Sequence, residues 1–427
     1  MKIVDNGDDP VRLMTLAEIR PVDEGKDDVL LQTIVAGSSD IEHFTTLIVF
    51  KCSNCSYDRI YEYPQDFKDW RDMPTKCFCK ACNIPMFVHQ NTKEQLRHFD
   101  VIKFAKTDDK PIIPTEEEIA YFKDLDKTKL ISSFAPHIHN MIDIKEALLL
   151  TCLGGVETDK VRGDINTLLL GDPGVAKTQL LKFVTNIIPK SDYISGKSAS
   201  GAGLFGGVDN LSDGTRIAKP GSVTLCNGGI AALDEIEKMN ESDRTYCHEI
   251  MESQKFSLRK IGIDITWEVK VAIIAAGNPK KSRWDPELSI NENITLPDSI
   301  MSRFGLMFLI RDQPSKQHDL DIAKHIMKVR RGEIIPELEP EMITKFIIYA
   351  KTLNPTISED VDETLLNWWS DLREVVQKDG SVAVDIRTYE DLVRLTQAYA
   401  RLHLKEEADI GDANDAIKLL NVSLHTL

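Results

Sequence analysis

Thr167-Leu168-Leu169-Leu170-Gly171-Asp172-Pro173-Gly174-Val175-Ala176-Lys177-Thr178-Gln179-Leu180-Leu181-Lys182-Phe183-Val184 sets an apolar run, a Gly/Pro loop and a helical pattern end to end. The run Thr167 to Leu170 reads as a buried strand, and Gln179 onward reads as a helix. Between them, successive backbone N–H groups and the positive end of the helix dipole form a cradle for phosphate oxygens. In the G-x-x-x-x-G-K-[ST] pattern the lysine reaches the β- and γ-phosphates and the hydroxyl holds Mg²⁺, roles that fall on Lys177 and Thr178. Ala176 stands where the pattern has its last glycine. Gly171, Asp172, Pro173, Gly174, Val175, Ala176, Lys177, Thr178 and Gln179 are therefore the expected ATP-binding stretch.

Other stretches supply what such a loop needs. Ile230-Ala231-Ala232-Leu233-Asp234-Glu235 is an apolar strand ending in two carboxylates. Phosphoryl transfer to water needs a metal held against the phosphates and a base that orients the attacking water. Asp234 suits the first task and Glu235 the second. Val271-Ala272-Ile273-Ile274-Ala275-Ala276 ends in Gly277-Asn278-Pro279, which puts Asn278 at a strand's carboxyl end, where it can polarise that water. Ser302-Arg303-Phe304 precedes the run Leu306 to Ile310, and an arginine there can stabilise charge on a γ-phosphate, in its own subunit or in a neighbour. Apolar runs alternating with helical patterns from about Leu125 to about Asp312 predict an α/β fold with a largely parallel sheet, strands falling at Thr167 to Leu170, Ile230 to Leu233, Val269 to Ala275 and Leu306 to Ile310. The remainder of the chain carries helical periodicity.

In their order, Arg162-Gly163-Asp164-Ile165-Asn166, the Ala-Lys form of the phosphate loop, Asp234-Glu235-Ile236-Glu237-Lys238-Met239-Asn240, Ala275-Ala276-Gly277-Asn278-Pro279 and Ser302-Arg303-Phe304 resemble the AAA+ motor of the minichromosome maintenance (MCM) replicative DNA helicases, archaeal type. The resemblance runs from about Phe134 to about Leu420. It implies a P-loop core with a C-terminal helical lid, and ATP sites between the subunits of a hexameric ring. It also implies that Arg303 is an arginine finger acting in trans, that Asn278 is the first sensor, and that Arg387 in Val384-Asp385-Ile386-Arg387-Thr388 is the second. Gly201 to Ser222, with Arg216 and Lys219, resembles the insertion in the motor's second helix. Phe256-Ser257-Leu258-Arg259-Lys260-Ile261-Gly262-Ile263 resembles the hairpin ahead of the sensor, with Lys260 at the position that faces DNA. Arg259 and Lys219 complete the expected DNA contacts. Ser257, Arg259 and Gly262 alternating with apolar residues fit an exposed hairpin in their own right. The family pattern is departed from at Ile138-His139-Asn140, usually Ile-Tyr-Gly, at Thr178, usually serine, and at Gly305, usually aspartate.

Ahead of the motor, Cys52-Ser53-Asn54-Cys55 and Cys79-Lys80-Ala81-Cys82 are two C-x-x-C knuckles suited to tetrahedral Zn²⁺ through four thiolates. Cys77 is close enough to take the place of Cys79, and a redox dithiol is the competing reading. Cys152, Cys226 and Cys247 read as core or surface thiols. Short β-branched runs around the knuckles predict a small β-rich zinc-binding domain over 1–110; the resemblance implies that it is oligonucleotide-binding-like, though shorter than the family's. A linker and helix follow over 111–133, with Thr115-Glu116-Glu117-Glu118 as a helix start. The ATPase core is expected over 134–315 and the helical lid over 316–427, with no winged-helix tail.

Lys+Arg 52 against Asp+Glu 68 gives a net charge of −16. A protein that coats nucleic acid by bulk charge is thereby disfavoured, and DNA contact falls to a few local basic groups. No apolar run approaches the roughly 20 residues that span a bilayer. The expectation is an intracellular protein without a membrane partner, cytoplasmic in an archaeon or nuclear in a eukaryote. Three functions stand open. The first is an ATP-driven translocase on single-stranded or forked DNA, in a homo-hexamer or a mixed ring with a full-length MCM. The second is a nucleotide-binding assembly subunit that does not itself unwind DNA. The third is a chelatase-like remodeller of proteins, against which the zinc knuckles and Lys260 argue.

Overall fold

The computed structural model describes residues 113–426, apart from 159, 198–199, 211–215, 261–262, 282, 313 and 380–384; before 113 it describes only the backbone of strands between Arg12 and Ile102. Five strands, β1 (Thr167–Gly171), β2 (Ser191–Ser195), β3 (Ile230–Asp234), β4 (Ala272–Gly277) and β5 (Leu306–Ile310), form an all-parallel sheet in the order β2-β3-β4-β1-β5. Every residue of β1, β3 and β4 is buried. That is why they read as unbroken apolar runs: a parallel sheet is covered on both faces.

Two details differ from expectation. β2 is not foreseen by the sequence, because Ser191-Asp192-Tyr193-Ile194-Ser195 is an edge strand with polar residues on its half-covered positions. β4 starts at Ala272 rather than Val269, because the preceding residues close other structure. Val269 N donates to Gln254 O at 2.7 Å, and Lys270 O accepts from Gly228 N at 2.7 Å.

Alternate residues of β1 point to opposite faces. On one face, Leu169 joins a core built by helices α1 (Glu116–Asp124), α2 (Lys127–Ser133), α3 (Ile142–Leu153) and α4 (Lys177–Ile187). On the other face, Leu168 and Leu170 join Leu233, Ile273 and Phe304, with Ile250 and Met251 of α5 (Glu241–Ser253). Helices α6 (Lys316–Arg330), α7 (Pro340–Thr352), α8 (Glu359–Asp379), α9 (Ile386–Leu402) and α10 (Ile410–Thr426) complete the described chain. Phe346, Leu365, Leu395 and Leu419 of α7 to α10 belong to the same core as Leu148 and Val184, so these helices are packed on the sheet's own helical layer.

The expected cap of α1 forms, with Thr115 N donating to Glu118 Oε2 at 2.8 Å and Glu118 N to Thr115 Oγ1 at 3.3 Å. Cys152, Cys226 and Cys247 are buried core thiols. Ahead of residue 113, Glu42–Lys51 pairs antiparallel with Pro85–Leu96. Cys52, Cys55, Cys79 and Cys82 lie outside the described residues, and with them the zinc expectation. No described helix is long and apolar enough to cross a membrane.

Candidate nucleotide site and hairpins

The carboxyl ends of β1, β3 and β4 lie side by side, the position at which open parallel sheets bind ligands. Gly171 turns the chain out of β1 at φ 146°, where a Cβ would lie 1.9 Å from Ile310 O, so no side chain fits. Ala176, the last residue before α4, has φ 62° and ψ 10°. This left-handed conformation is what the pattern's glycine serves, and alanine there stores roughly 1–2 kcal/mol of strain. The buried carboxylate of Asp172 clamps the loop from outside, accepting from Trp284 N at 2.7 Å and Asp312 N at 2.9 Å.

Lys177 Nζ sits inside the loop and donates to Gly171 O at 2.7 Å and Asp172 O at 2.8 Å. Burial pulls its pKa down to about 8, against the pull of Asp234, Glu237 and Asp172. A triphosphate favours the charged ammonium, so above pH 8 binding must take up a proton. ATP affinity is therefore expected to hold steady below that pH and to fall by up to about tenfold per unit above it. Titration calorimetry across pH, in buffers of different ionisation enthalpy, checks this. Burial also brings Lys145, which donates to Ile138 O at 2.8 Å, down to about 8. Lys177→Arg separates the two, since a pH step that survives in it belongs to Lys145.

Asp234 Oδ2 accepts from Thr178 Oγ1 at 2.6 Å and from Tyr193 OH at 2.7 Å, and Asp234 Oδ1 accepts from Glu235 N at 2.9 Å. Burial, with Asp234 beside it, raises the pKa of Tyr193 and keeps it a donor. A hydroxyl and a carboxylate oxygen at the mouth of a phosphate loop are the hard donors Mg²⁺ takes. Glu235 adopts φ 54° and ψ 44°, and its carboxylate meets Lys238 Nζ. Asn278 Nδ2 donates to Glu237 Oε1 at 3.3 Å, whereas Glu237 Oε2 is buried and makes no hydrogen bond. Pro173 to Gln179, Tyr193, Asp234, Glu235 and Asn278 enclose a cavity of about 430 Å³. Sequence reasoning missed Tyr193, which lies on the unforeseen strand. It also missed Glu237 as a partner of Asn278, although Glu237 stands two residues after Glu235 in the same acidic run.

Arg303 and Arg387 are not among the walls of that cavity. Arg303 is 7% exposed, with Nη2 2.8 Å from Glu252 Oε2 and Nε 3.4 Å from His248 Nε2. Its carbonyl accepts from Asn166 Nδ2 at 3.2 Å. Arg387 stands in the first turn of α9, with Nη1 3.3 Å from Ser302 Oγ. The structure thus joins the two arginines through one loop, and neither lines the cavity that Lys177 lines.

A second cavity, of about 390 Å³, adjoins the loop at Gly174 to Ala176 and is walled by His137, Ile138, His139 and Met141 with Ile322, His325 and Ile326 of α6. The backbone beside it accounts for the departure at Asn140. Asn140 has φ 57°, a conformation natural to glycine that asparagine tolerates better than other side chains.

The expected hairpin is present, Lys255–Lys260 pairing antiparallel with Ile263–Glu268. Phe256 and Leu258 face inward, Phe256 stacking on Trp267 with ring centroids 5.9 Å apart, whereas Arg259 and Lys260 are exposed at the tip. Arg259 Nε lies 3.3 Å from Asp264 Oδ1. The earlier insertion is a second hairpin, Gly206–Asn210 with Arg216–Pro220, on which Lys219 is exposed. The two lean together at Gly206, where a Cβ would lie 3.2 Å from both Phe256 Cε1 and Trp267 Cζ3.

A phosphate loop after β1, a Mg²⁺-type carboxylate closing β3 and an asparagine closing β4 define a P-loop nucleotide-binding domain, here carrying a helical lid. The MCM P-loop domain profile matches residues 116–330 and the MCM AAA-lid domain profile matches 341–424, so the chain belongs to the MCM family. It is 36% identical over 330 residues to the minichromosome maintenance protein MCM of Saccharolobus solfataricus, covering 74% of this chain and 48% of that one. It is 37% identical over 316 residues to the DNA replication licensing factor mcm7 of Schizosaccharomyces pombe, covering 70% and 41%. To the DNA replication licensing factor mcm4-A of Xenopus laevis it is 34% identical over 350 residues, covering 75% and 41%. The chain spans less than half the length of each of these relatives.

Proposed function

We propose that the chain hydrolyses ATP at sites shared between the subunits of a ring, a homo-hexamer or a mixed ring with longer MCM proteins, and uses the work to move single-stranded or forked DNA. The observation that carries this reading is the convergence of Thr178 on Asp234 at 2.6 Å, beside Lys177 and Asn278. Mg²⁺ on Thr178 and Asp234 would neutralise phosphate charge when bound, while Asn278 and Glu235 orient water. Arg303 and Arg387, which do not line their own chain's cavity, are assigned to a neighbour's. Zn²⁺ on Cys52, Cys55, Cys79 and Cys82 is proposed from their spacing alone. ATP hydrolysis with and without single-stranded DNA, measured together with oligomeric mass, tests the reading. Turnover that DNA does not stimulate, in a protein that forms rings, overturns it.

DNA contact is assigned to Lys260, with Arg259 and Lys219, because the net charge of −16 leaves local groups to meet phosphates. Lys260→Ala is expected to lower the salt slope of DNA binding by about one unit for each phosphate it no longer neutralises, and to weaken ATPase stimulation. Unchanged slope and stimulation place the DNA-gripping groups elsewhere. The pairing of Arg303 with Glu252 favours a second reading, a nucleotide-binding assembly subunit whose finger is withdrawn; it predicts ATP binding and ring entry without turnover.

A further inference from the structure

Gly305 follows the finger and abuts the lid. A Cβ on it would lie 2.7 Å from Cγ and 2.9 Å from each carboxylate oxygen of Asp391, a residue of α9. Asp391 is 6% exposed and accepts a hydrogen bond from Arg394 Nη1. Burial raises the pKa of its carboxyl group, an effect opposed by Arg394 and Arg162. Arg394 Nε donates to Arg162 O at 3.0 Å, and Arg162 Nη1 donates to Met251 O, one residue before the Glu252 that holds Arg303. The carboxylate of Asp391 therefore occupies space that a Cβ on residue 305 would take from it, flanked by two guanidinium groups and two residues from Arg303. The same loop meets α9 again where Arg387 reaches Ser302.

Joining a lid to a core does not require this. Apolar residues of equal volume do so as well as a buried ion pair, or better. What a charged, shape-matched contact adds is a fixed geometry. We propose that Asp391 is a positioning residue for the finger: seated against Gly305, it fixes residues 302–305 on α9, so that lid position and finger placement move together. This rests on the proposed ATPase reading for its effect on turnover. It also accounts for glycine at 305, where the resemblance has an aspartate, since a carboxylate carried on 305 would occupy the space that Asp391 fills.

Carboxylate transposition tests this in the full chain. Asp391→Asn keeps the shape and removes the charge. It is expected to lower kcat by about 10²-fold, as misplacement of a reacting group does, with ATP affinity at Lys177 unchanged. Gly305→Asp alone crowds two carboxylates into one notch and is expected to be impaired as well. The pair Gly305→Asp/Asp391→Ala moves the carboxylate across the interface and is expected to recover most of the turnover. Parental kcat in Asp391→Asn, or a transposed pair no better than Asp391→Ala, overturns the proposal. Hydrogen exchange at the amides of 302–306 gives a readout that needs no turnover, expected to quicken in Asp391→Asn and to return to the parental rate in the pair. If the parental chain does not hydrolyse ATP, the ATPase reading fails while that exchange pattern still supports the seating of Asp391; exchange unchanged in Asp391→Asn overturns the seating itself.

Discussion

Arg303→Ala is expected to lower ATP turnover by about 10³- to 10⁵-fold, the usual worth of a finger arginine, while ATP binding at Lys177 stays intact. Arg303 lies outside its own cavity and is held by Glu252, which it keeps below the usual carboxylate range. On the proposed reading its effect is exerted on a neighbour, after it exchanges one carboxylate for a phosphate. Lys177→Ala is expected to be inactive as well, for the opposite reason. Mixed in equal amounts, the two variants form some interfaces with an intact lysine on one side and an intact arginine on the other, and turnover returns in part. Steady-state turnover of each variant and of the mixture is the measurement. Parental turnover in Arg303→Ala removes the assignment, and two inactive variants that do not complement each other place both groups in one subunit.

The legible part of this protein is the part governed by local rules. β1, β3 and β4 announce themselves because full burial makes them continuous apolar runs, and the loop between β1 and α4 because phosphate binding demands particular residues in a fixed order. β2 is an edge strand whose polar residues break the run, and Tyr193 is hidden with it. Ala176 and Asn140 look like departures from a glycine pattern until their positive φ angles show that the left-handed conformation is kept and only the residue has changed. Glu235 is legible as a residue, but neither its left-handed backbone nor its contact with Lys238 is. The partners of Arg303 and Gly305 are out of reach for another reason. Glu252 comes from α5 of the core and Asp391 from α9 of the lid, and a single sequence carries no local signal for contacts made only when distant segments pack together.

The lid's attachment carries the largest stability prediction. Arg401, at the end of α9, is 5% exposed and pairs with no carboxylate among the described residues. Its Nη1 donates instead to Leu153 O at 2.8 Å, Gly154 O at 2.9 Å and Gly155 O at 2.8 Å, and its Nε to Leu353 O at 2.9 Å. The last carbonyls of α3 have no partner within the helix and carry the negative end of its dipole, so a buried cation finds its compensation there. The segment so held leads to Gly163, whose carbonyl accepts from Gly155 N at 2.9 Å, and from there to β1 and the phosphate loop. Arg401→Met keeps much of the side chain's volume but leaves these buried carbonyls without donors. The expected loss is about 3–5 kcal/mol, each stranded acceptor contributing on the order of 1 kcal/mol or more. Denaturant unfolding should show a lower midpoint at an unchanged m value, because the surface exposed on unfolding is the same. Arg401→Lys is expected to fall between, since one ammonium cannot reach both Leu353 and the end of α3. A loss in Arg401→Met no larger than the roughly 1 kcal/mol of an exposed polar pair would mean that water, rather than the lid, satisfies the end of α3.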